Sequence, residues 1–217
     1  MKLESIWPLF GLEIAAPRIV LRPVRDEDLP GLAQAALAGV HEPDRMPFDP
    51  PWTDADPADL PRNLAEFQWS RRGKVSAADW TISFAVHFDG RIVGAQDVSA
   101  RDFPARRTVN TGSWLTASVH GQGLGTEMRA AVLMFAFDEL GAEWAESGAK
   151  SWNQASLGVS RKLGYELNGV TRVAPRSGEP VDEQRVRLEK TAFVRPDWAI
   201  STRGAAPVLA QLRIPVR

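Results

Sequence analysis

The chain has no cysteine among its 217 residues, which removes disulfides, thiolate nucleophiles and cysteine-held metal at once. Charge of one sign is also lacking. Lys and Arg number 26 against 27 Asp and Glu, so net charge draws the protein neither to nucleic acid nor to an anionic membrane, although a local basic patch stays open. No stretch approaches the ~20 apolar residues of a membrane helix, and the N-terminus Met1-Lys2-Leu3-Glu4-Ser5-Ile6-Trp7-Pro8 lacks the apolar run of a signal peptide. The expectation is a cytoplasmic protein. His41, His87 and His120 stand far apart without metal-ligand spacing, so no metal is expected. The eight tryptophans are scattered rather than interleaved with Lys and Arg, a pattern of packing rather than of base stacking.

What is present is an ordinary globular composition, 44% hydrophobic and 24% charged, long enough for one domain with its own core. Pro17-Arg18-Ile19-Val20-Leu21-Arg22-Pro23 alternates as a strand, and Asp26 then opens a helix carrying Leu29, Leu32, Ala33, Ala36 and Leu37. Residues 39–61 are rich in Pro, Asp and Trp and read as a loop, either a substrate-contacting one or a surface excursion pinned by Trp52 and Phe48. A helix over 58–71 should turn Leu60, Leu64, Phe67 and Trp69 inward. Two strands, 80–88 and 91–98, flank the hairpin signal Asp89-Gly90. Further strands are expected over 108–119, 143–148, 165–173 and 183–194, with helices over 124–140 and 154–163.

His120-Gly121-Gln122-Gly123-Leu124-Gly125-Thr126 falls between a strand and a helix, where successive backbone N–H groups and the helix dipole can bind phosphate. A glycine turn without a ligand is the plain alternative. A Walker A loop needs a Lys after its last glycine, and none is present. A dinucleotide fingerprint would have Gly or Ala where Thr126 stands and would open on the first strand of a parallel series, whereas a hairpin precedes this loop.

The stretch from His120 to Gly125 resembles the Q/R-x-x-G-x-G/A signature of the GNAT acyltransferases, with His120 in the Q/R position. Residues 17–23 followed by Asp28-Leu29 look like the opening of the RimJ/RimL-type branch. Asn153-Gln154-Ala155-Ser156 through Lys162-Leu163-Gly164-Tyr165 looks like its second motif. The loop 41–48 and residues 126–133 also resemble an actinobacterial subgroup within which succinyl-CoA use has been proposed.

The resemblance implies an α+β (mixed α/β) GNAT fold, with about seven strands in a mixed, mostly antiparallel sheet flanked by helices. The acyltransferase domain would occupy residues 1–195, and 196–217 would form a tail docking on that domain or on a partner subunit. It implies an N-acyltransferase moving an acetyl or short acyl group, succinyl included, from acetyl-CoA or succinyl-CoA to a primary amine by direct attack. The acceptor would be a small molecule or a protein, and a homo-oligomer is consistent with the family. Coenzyme A would be held by Leu115, Ala117, Val119, Gln122, Gly123, Leu124, Gly125, Thr126, Asn153 and Ser156, with the Ala117 amide as oxyanion donor. Helix capping is the alternative role for Asn153. Acceptor and acyl specificity would come from Glu42, Arg45, Met46 and Phe48, with Arg45 pairing the carboxylate of a succinyl group.

Two departures bear on catalysis. Ser160 stands where relatives carry a tyrosine acid, and a serine hydroxyl can at best hydrogen-bond the sulfur or relay a proton. Asn110 stands where a Glu is common, leaving Asp97, Asp102, Glu42, His120 or water as the base. These departures motivate a second reading, a non-catalytic acyl-CoA-binding regulatory module.

Overall fold

A computed structural model describes residues 1–215. Its helices are α1 (Leu3–Ile6), α2 (Leu29–Leu37), α3 (Leu60–Arg72), α4 (Phe103–Arg106), α5 (Leu124–Met134), α6 (Gln154–Lys162) and α7 (Ala205–Gln211). Its strands are β1 (Glu13–Ala15), β2 (Ile19–Pro23), β3 (Trp80–Phe88), β4 (Arg91–Ala100), β5 (Thr108–Leu115), β6 (Trp144–Lys150), β7 (Glu166–Arg176), β8 (Glu179–Glu189) and β9 (Ser201–Arg203).

All nine strands form one sheet in the order β7-β8-β6-β5-β4-β3-β2-β1-β9. The fold is the expected mixed α+β sheet flanked by helices, with nine strands rather than about seven. The additions, β1 and β9, are three residues each, too short for alternation to announce them. β9 pairs with β1 and brings the C-terminal tail onto the sheet edge, where Val208, Leu209, Leu212 and Ile214 are buried. Residues 216 and 217 of that tail lie outside the described residues.

Asp89 and Gly90 turn the β3–β4 hairpin with φ of 50° and 73°, the left-handed values that a two-residue connection requires. One pair of neighbours departs from the antiparallel rule. β5 and β6 run parallel and pair only through Thr108–Trp144, Val109–Ala145 and Asn110–Glu146. Both strands continue past that last rung, to Leu115 and Lys150, so a wedge opens between their C-terminal halves.

Helix α5 lies in the core between this sheet and α6, with Met128, Ala131, Val132 and Met134 at 3% exposure or less. It extends into one π turn over Phe135–Glu139. On the opposite face, α2 and α3 bury Leu32, Ala36, Leu60 and Leu64 against Ala85 and Ala95. Phe67 and Trp69 do not turn inward as expected; they are 44% and 50% exposed. Trp69 Nε1 donates to Asp26 at 3.0 Å and the Phe67 ring carries the Arg71 guanidinium at 4.9 Å, so each ring finds a polar partner at the surface.

The strand expected over 108–119 stops at Leu115. Thr116 N still donates to Val93 O at 2.8 Å, but Ala117 N turns to Gly39 O at 2.8 Å and residues 117–119 close a 3-10 turn. Gly94 makes this approach possible, since a Cβ there would lie 2.1 Å from Trp114 O.

Candidate active site

The glycine loop starts from its backbone. Gly121 and Gly123 adopt φ of 74° and 80°, a conformation that disfavours any Cβ, and Gly123 is the N-cap of α5. Thr126 N and Glu127 N both return to Gly123 O, at 3.0 and 3.1 Å. The amides of residues 121–125 donate to no protein acceptor among the described residues. Five successive donors at a helix N-terminus form a nest for an anion.

Arg18 braces this nest from the segment before β2. Its backbone N and Nε donate to the Glu127 carboxylate at 2.7 Å each, and Nη1 donates to Gln122 O at 2.9 Å. His120 braces it from the other side, with Nε2 donating to Leu115 O at 2.9 Å.

The wedge continues from the nest. In an antiparallel ladder the residue that donates to its neighbour alternates with one whose N–H and C=O point away. Because Thr116 N bonds β4, the backbones of Thr111, Ser113 and Leu115 point toward β6. Two contacts agree: Ser147 Oγ donates to Thr111 O at 2.9 Å, and Leu115 O takes the His120 ring. Leu115 thus presents its backbone to the wedge. Ala117 and Val119 do not: they sit in the 3-10 turn, and the amide of Ala117 is committed to Gly39 O, which removes it as the oxyanion donor expected from the sequence.

Two residues beyond the last rung, both arms of the wedge carry glycine. Gly112 on β5 has open space where a Cβ would be, and Gly148 on β6 faces the Glu183 and Arg185 side chains. The missing side chain at Gly112 leaves that arm of the wedge open, a window through the sheet flanked at Gly148 by Glu183 and Arg185. On the α5 side of this window lies Arg129, 4% exposed, which reaches both arms: Nη1 to Ser147 Oγ at 3.3 Å and Nη2 to Ser113 Oγ at 3.4 Å. Its Nε has no partner, and it forms no ion pair among the described residues. A buried guanidinium held only by long hydroxyl contacts is poorly compensated and suited to a ligand's negative charge. The Tyr165 hydroxyl lies 3.5 Å from Thr111 Oγ1. Burial pushes its pKa above the ordinary phenol value, against the pull of Arg129.

On the other side of the window, Asp97 pairs with Gly112 across the sheet and accepts from Ser83 Oγ at 2.6 Å. Burial raises its carboxyl pKa, opposed by the Ser83 hydroxyl and the Arg71 charge. Asp97 is the base candidate that lies beside the window. Asp102 sits in the β4–β5 turn with its backbone N on Asp79, Glu42 is exposed on its loop, and the His120 ring is held at Leu115.

The loop before α3 roofs this side. His41, Phe48, Trp52 and Trp114 form a chain of rings with centroids 5.6, 5.1 and 5.4 Å apart, ending on β5 two residues past the window. Met46 is buried within the loop, while Glu42 and Arg45 are exposed. The Arg45 guanidinium stands 5.7 Å over the Trp152 ring, and Arg176, near the tip of the β7–β8 hairpin, grips Asp54 at 2.7 and 2.8 Å and Pro43 O at 3.1 Å.

Asn153 Oδ1 accepts from Ser156 N at 3.1 Å and so caps α6. Ser160 is 3% exposed and its hydroxyl donates to Ser156 O at 3.3 Å, inside its own helix, which turns it from the acid or relay position expected from the sequence. Sequence reasoning missed Arg18, Arg129, Gly112 and Gly148. Among the described residues no cluster of three His, Asp or Glu could hold a metal, and no helix is long and apolar enough to cross a membrane.

A family model for the acetyltransferase (GNAT) domain matches residues 18–166. RimJ from Mycobacterium smegmatis in complex with CoA-disulfide is similar with a TM-score of 0.70 at 20% identity, over 92% of both chains. RimL, a ribosomal L7/L12 α-N-protein acetyltransferase in complex with coenzyme A, superposes at 0.65 and 19% identity, over 82% of this chain and 97% of its own. The microcin C7 self-immunity acetyltransferase MccE, in complex with acetyl-CoA and AMP, does so at 0.62 and 15% identity, over 80% and 93%.

Proposed function

The chain belongs to the GNAT acetyltransferase family, whose chemistry is acyl transfer from coenzyme A, and on that premise we propose an N-acyltransferase working by direct attack of a primary amine on the thioester at the Gly112–Gly148 window. The observation that carries this reading is the row of five unpartnered amides at residues 121–125, placed at the mouth of a wedge that leads to that window.

The residues divide the work as follows. The amides of residues 121–125 and the Arg18 guanidinium take the pyrophosphate. The backbone of Leu115 and Ser113 lines the pantetheine path. The acyl thioester supplies the electrophile and the leaving sulfur. Asp97, its carboxyl raised by burial, accepts the proton that an ammonium must lose before it can attack. Arg129 stabilises negative charge developing in the wedge, on the carbonyl oxygen and then on the sulfur, which leaves as a thiolate and takes the second proton shed by the acylated nitrogen. Holding amine and thioester in line supplies the rest, a contribution of ~7 to 11 kcal/mol in well-oriented systems.

The donor in this proposal is acetyl-CoA, with succinyl-CoA second, its carboxylate recognised by Arg45 beside Trp152. The acceptor is an amine reached beneath the 39–59 loop; RimL, an α-N-protein acetyltransferase, makes a protein N-terminus the first class to test. A protein of the cytoplasm would meet both substrates.

The test is calorimetry of acetyl-CoA and succinyl-CoA on the wild type and on Gly123→Glu, followed by turnover on a panel of peptides and small amines. Binding to the wild type alone supports the loop assignment. No binding by folded wild type removes the acyltransferase reading. Binding without turnover on any amine favours the regulatory module instead.

A further inference from the structure

A cavity of 530 Å³ opens on the sheet face opposite α5. Its floor is one cross-strand row, Thr81, Ser99, Asn110 and Glu146, each paired with the next across four strands. The row ends on Asn110–Glu146, the last rung before the wedge. Arg71 and Lys74 from the end of α3, with Arg101 and Arg106 from the β4–β5 connection, stand around it. None of the four cations forms an ion pair among the described residues. The cavity lining holds two carboxylates, Asp79 and Glu146, of which Asp79 already accepts from Asp102 N at 2.8 Å, and the Arg71 charge also reaches the Asp97 carboxyl.

The charges are sorted by distance from the window. Glu146 lies level with the Ser99–Asn110 rung, two residues short of the window, and Arg101 and Arg106 lie farther off, beyond the ends of β4 and β5 away from the window. The Ser99–Asn110 rung is two residues from Asp97–Gly112, roughly 7 Å along the strand. A molecule with an amine at the window and an oxyanion farther off than that rung would keep its ammonium end nearer Glu146 and bring its anionic end to guanidinium groups. This complementarity holds for no neutral or polycationic amine.

We propose that this cavity is an acceptor subsite for the oxyanion, carboxylate or phosphate, of an amine substrate. The inference rests on the acyl transfer proposed above and adds the chemical class of the acceptor. Unpaired guanidinium groups favour such oxyanions because their forked N–H donors match two oxygens at once.

The experiment compares matched acceptors with acetyl-CoA as donor: 5-aminopentyl phosphate against 5-aminopentanol, and the peptide Ala-Asp-Asp-Ala against Ala-Asn-Asn-Ala. Wild type is set beside Arg101→Gln/Arg106→Gln, whose positions are exposed and lie outside the donor site. The expected result is a preference for the anionic member of at least one pair of about tenfold in kcat/KM, lost in the variant while KM for acetyl-CoA is unchanged. Which pair shows it tells a small phosphorylated amine from an acidic peptide. Equilibrium binding of 5-aminopentyl phosphate and Ala-Asp-Asp-Ala in the presence of coenzyme A reads the same contrast without turnover. Equal binding by wild type and variant, or no preference for either anion, overturns the subsite. Loss of acetyl-CoA binding by wild type would instead overturn the reading on which it rests.

Discussion

Arg18 and Glu127, 109 residues apart, are joined by two hydrogen bonds of 2.7 Å and an Nη2 contact of 2.6 Å. Glu127 sits in the first turn of α5, where a carboxylate is favoured by the helix dipole but would repel a pyrophosphate bound at the same N-terminus. Arg18 neutralises it and, through Gln122 O, fixes the loop whose amides face the ligand.

Arg18→Ala should therefore weaken acetyl-CoA binding by about tenfold or more, with kcat at saturating donor little changed, because the loss falls on ground-state binding. It should also lower stability by about 1–3 kcal/mol, since the Glu127 carboxylate is left buried without its cation. Calorimetry and a denaturant midpoint read the two effects. The double variant Arg18→Ala/Glu127→Gln should recover stability but only part of the affinity. Full recovery of affinity would mean that Arg18 acts only through Glu127.

Asp97 carries a prediction of opposite signs. Its folded pKa is raised by burial, so below the unfolded value of about 3.9 both states hold the proton and full stability is present. As pH rises from there through the folded pKa, the unfolded chain gives up its proton first and stability is lost. Asp97→Asn should then be more stable than wild type at pH 7.5, with the advantage vanishing near pH 4. The same variant should lose about 10²-fold or more in kcat/KM, and the wild-type rate should rise with pH through a group titrating above the ordinary carboxylate range. A stable variant with an unchanged pH–rate profile would take the base role from Asp97.

The parts of this site that are local in the chain could be read from it. Gly121, Gly123 and the Asp89-Gly90 hairpin declare themselves because their backbone angles are ones that few residues accept. The window could not be read. Gly112 and Gly148 meet only through a parallel register set by Asn110 and Glu146, and Asp97 joins them only through the β4–β5 ladder. Alternation also misled at 117–119, where Leu115, Ala117 and Val119 have the period of a strand. The competing acceptor, Gly39 O, belongs to a loop 78 residues earlier, and nothing local reveals it. Ser160 shows the same limit, since the motif gives its position but not the Ser156 carbonyl that takes its hydroxyl.

Arg129 should behave as Asp97 does, because both are charges kept at the window against the interest of folding. Replacing it by Met removes a buried cation whose Nε has no partner, so stability should hold or rise by about 1–4 kcal/mol. The chemical step should slow by about 10²-fold, the scale of losing one donor to a developing oxyanion. Single-turnover kinetics isolate that step from donor binding. Arg129→Lys should restore part of the rate, since it keeps the charge but not the fork to Ser113 and Ser147. Equal rates for wild type and both variants would make Arg129 a structural brace only.

The acceptor roof depends on the grip of Arg176 on Asp54. The pair is exposed enough that its worth in global stability should be small, yet it ties the β7–β8 hairpin to the loop that carries Phe48 and Trp52. Asp54 titrates below the ordinary range because Arg176 hydrogen-bonds and attracts it, so the tether is fully charged from mildly acidic pH upward and weakens only as pH falls through that lowered value. Asp54→Asn should raise KM for the acceptor by about three- to tenfold, leave acetyl-CoA affinity unchanged, and shift the thermal midpoint by no more than a degree or two. The charge-swapped pair Asp54→Arg/Arg176→Asp should reverse the KM effect in part by restoring the tether. If the loop instead had to swing open for each turnover, Asp54→Asn would raise kcat along with KM, so the two constants together tell a fixed roof from a moving one.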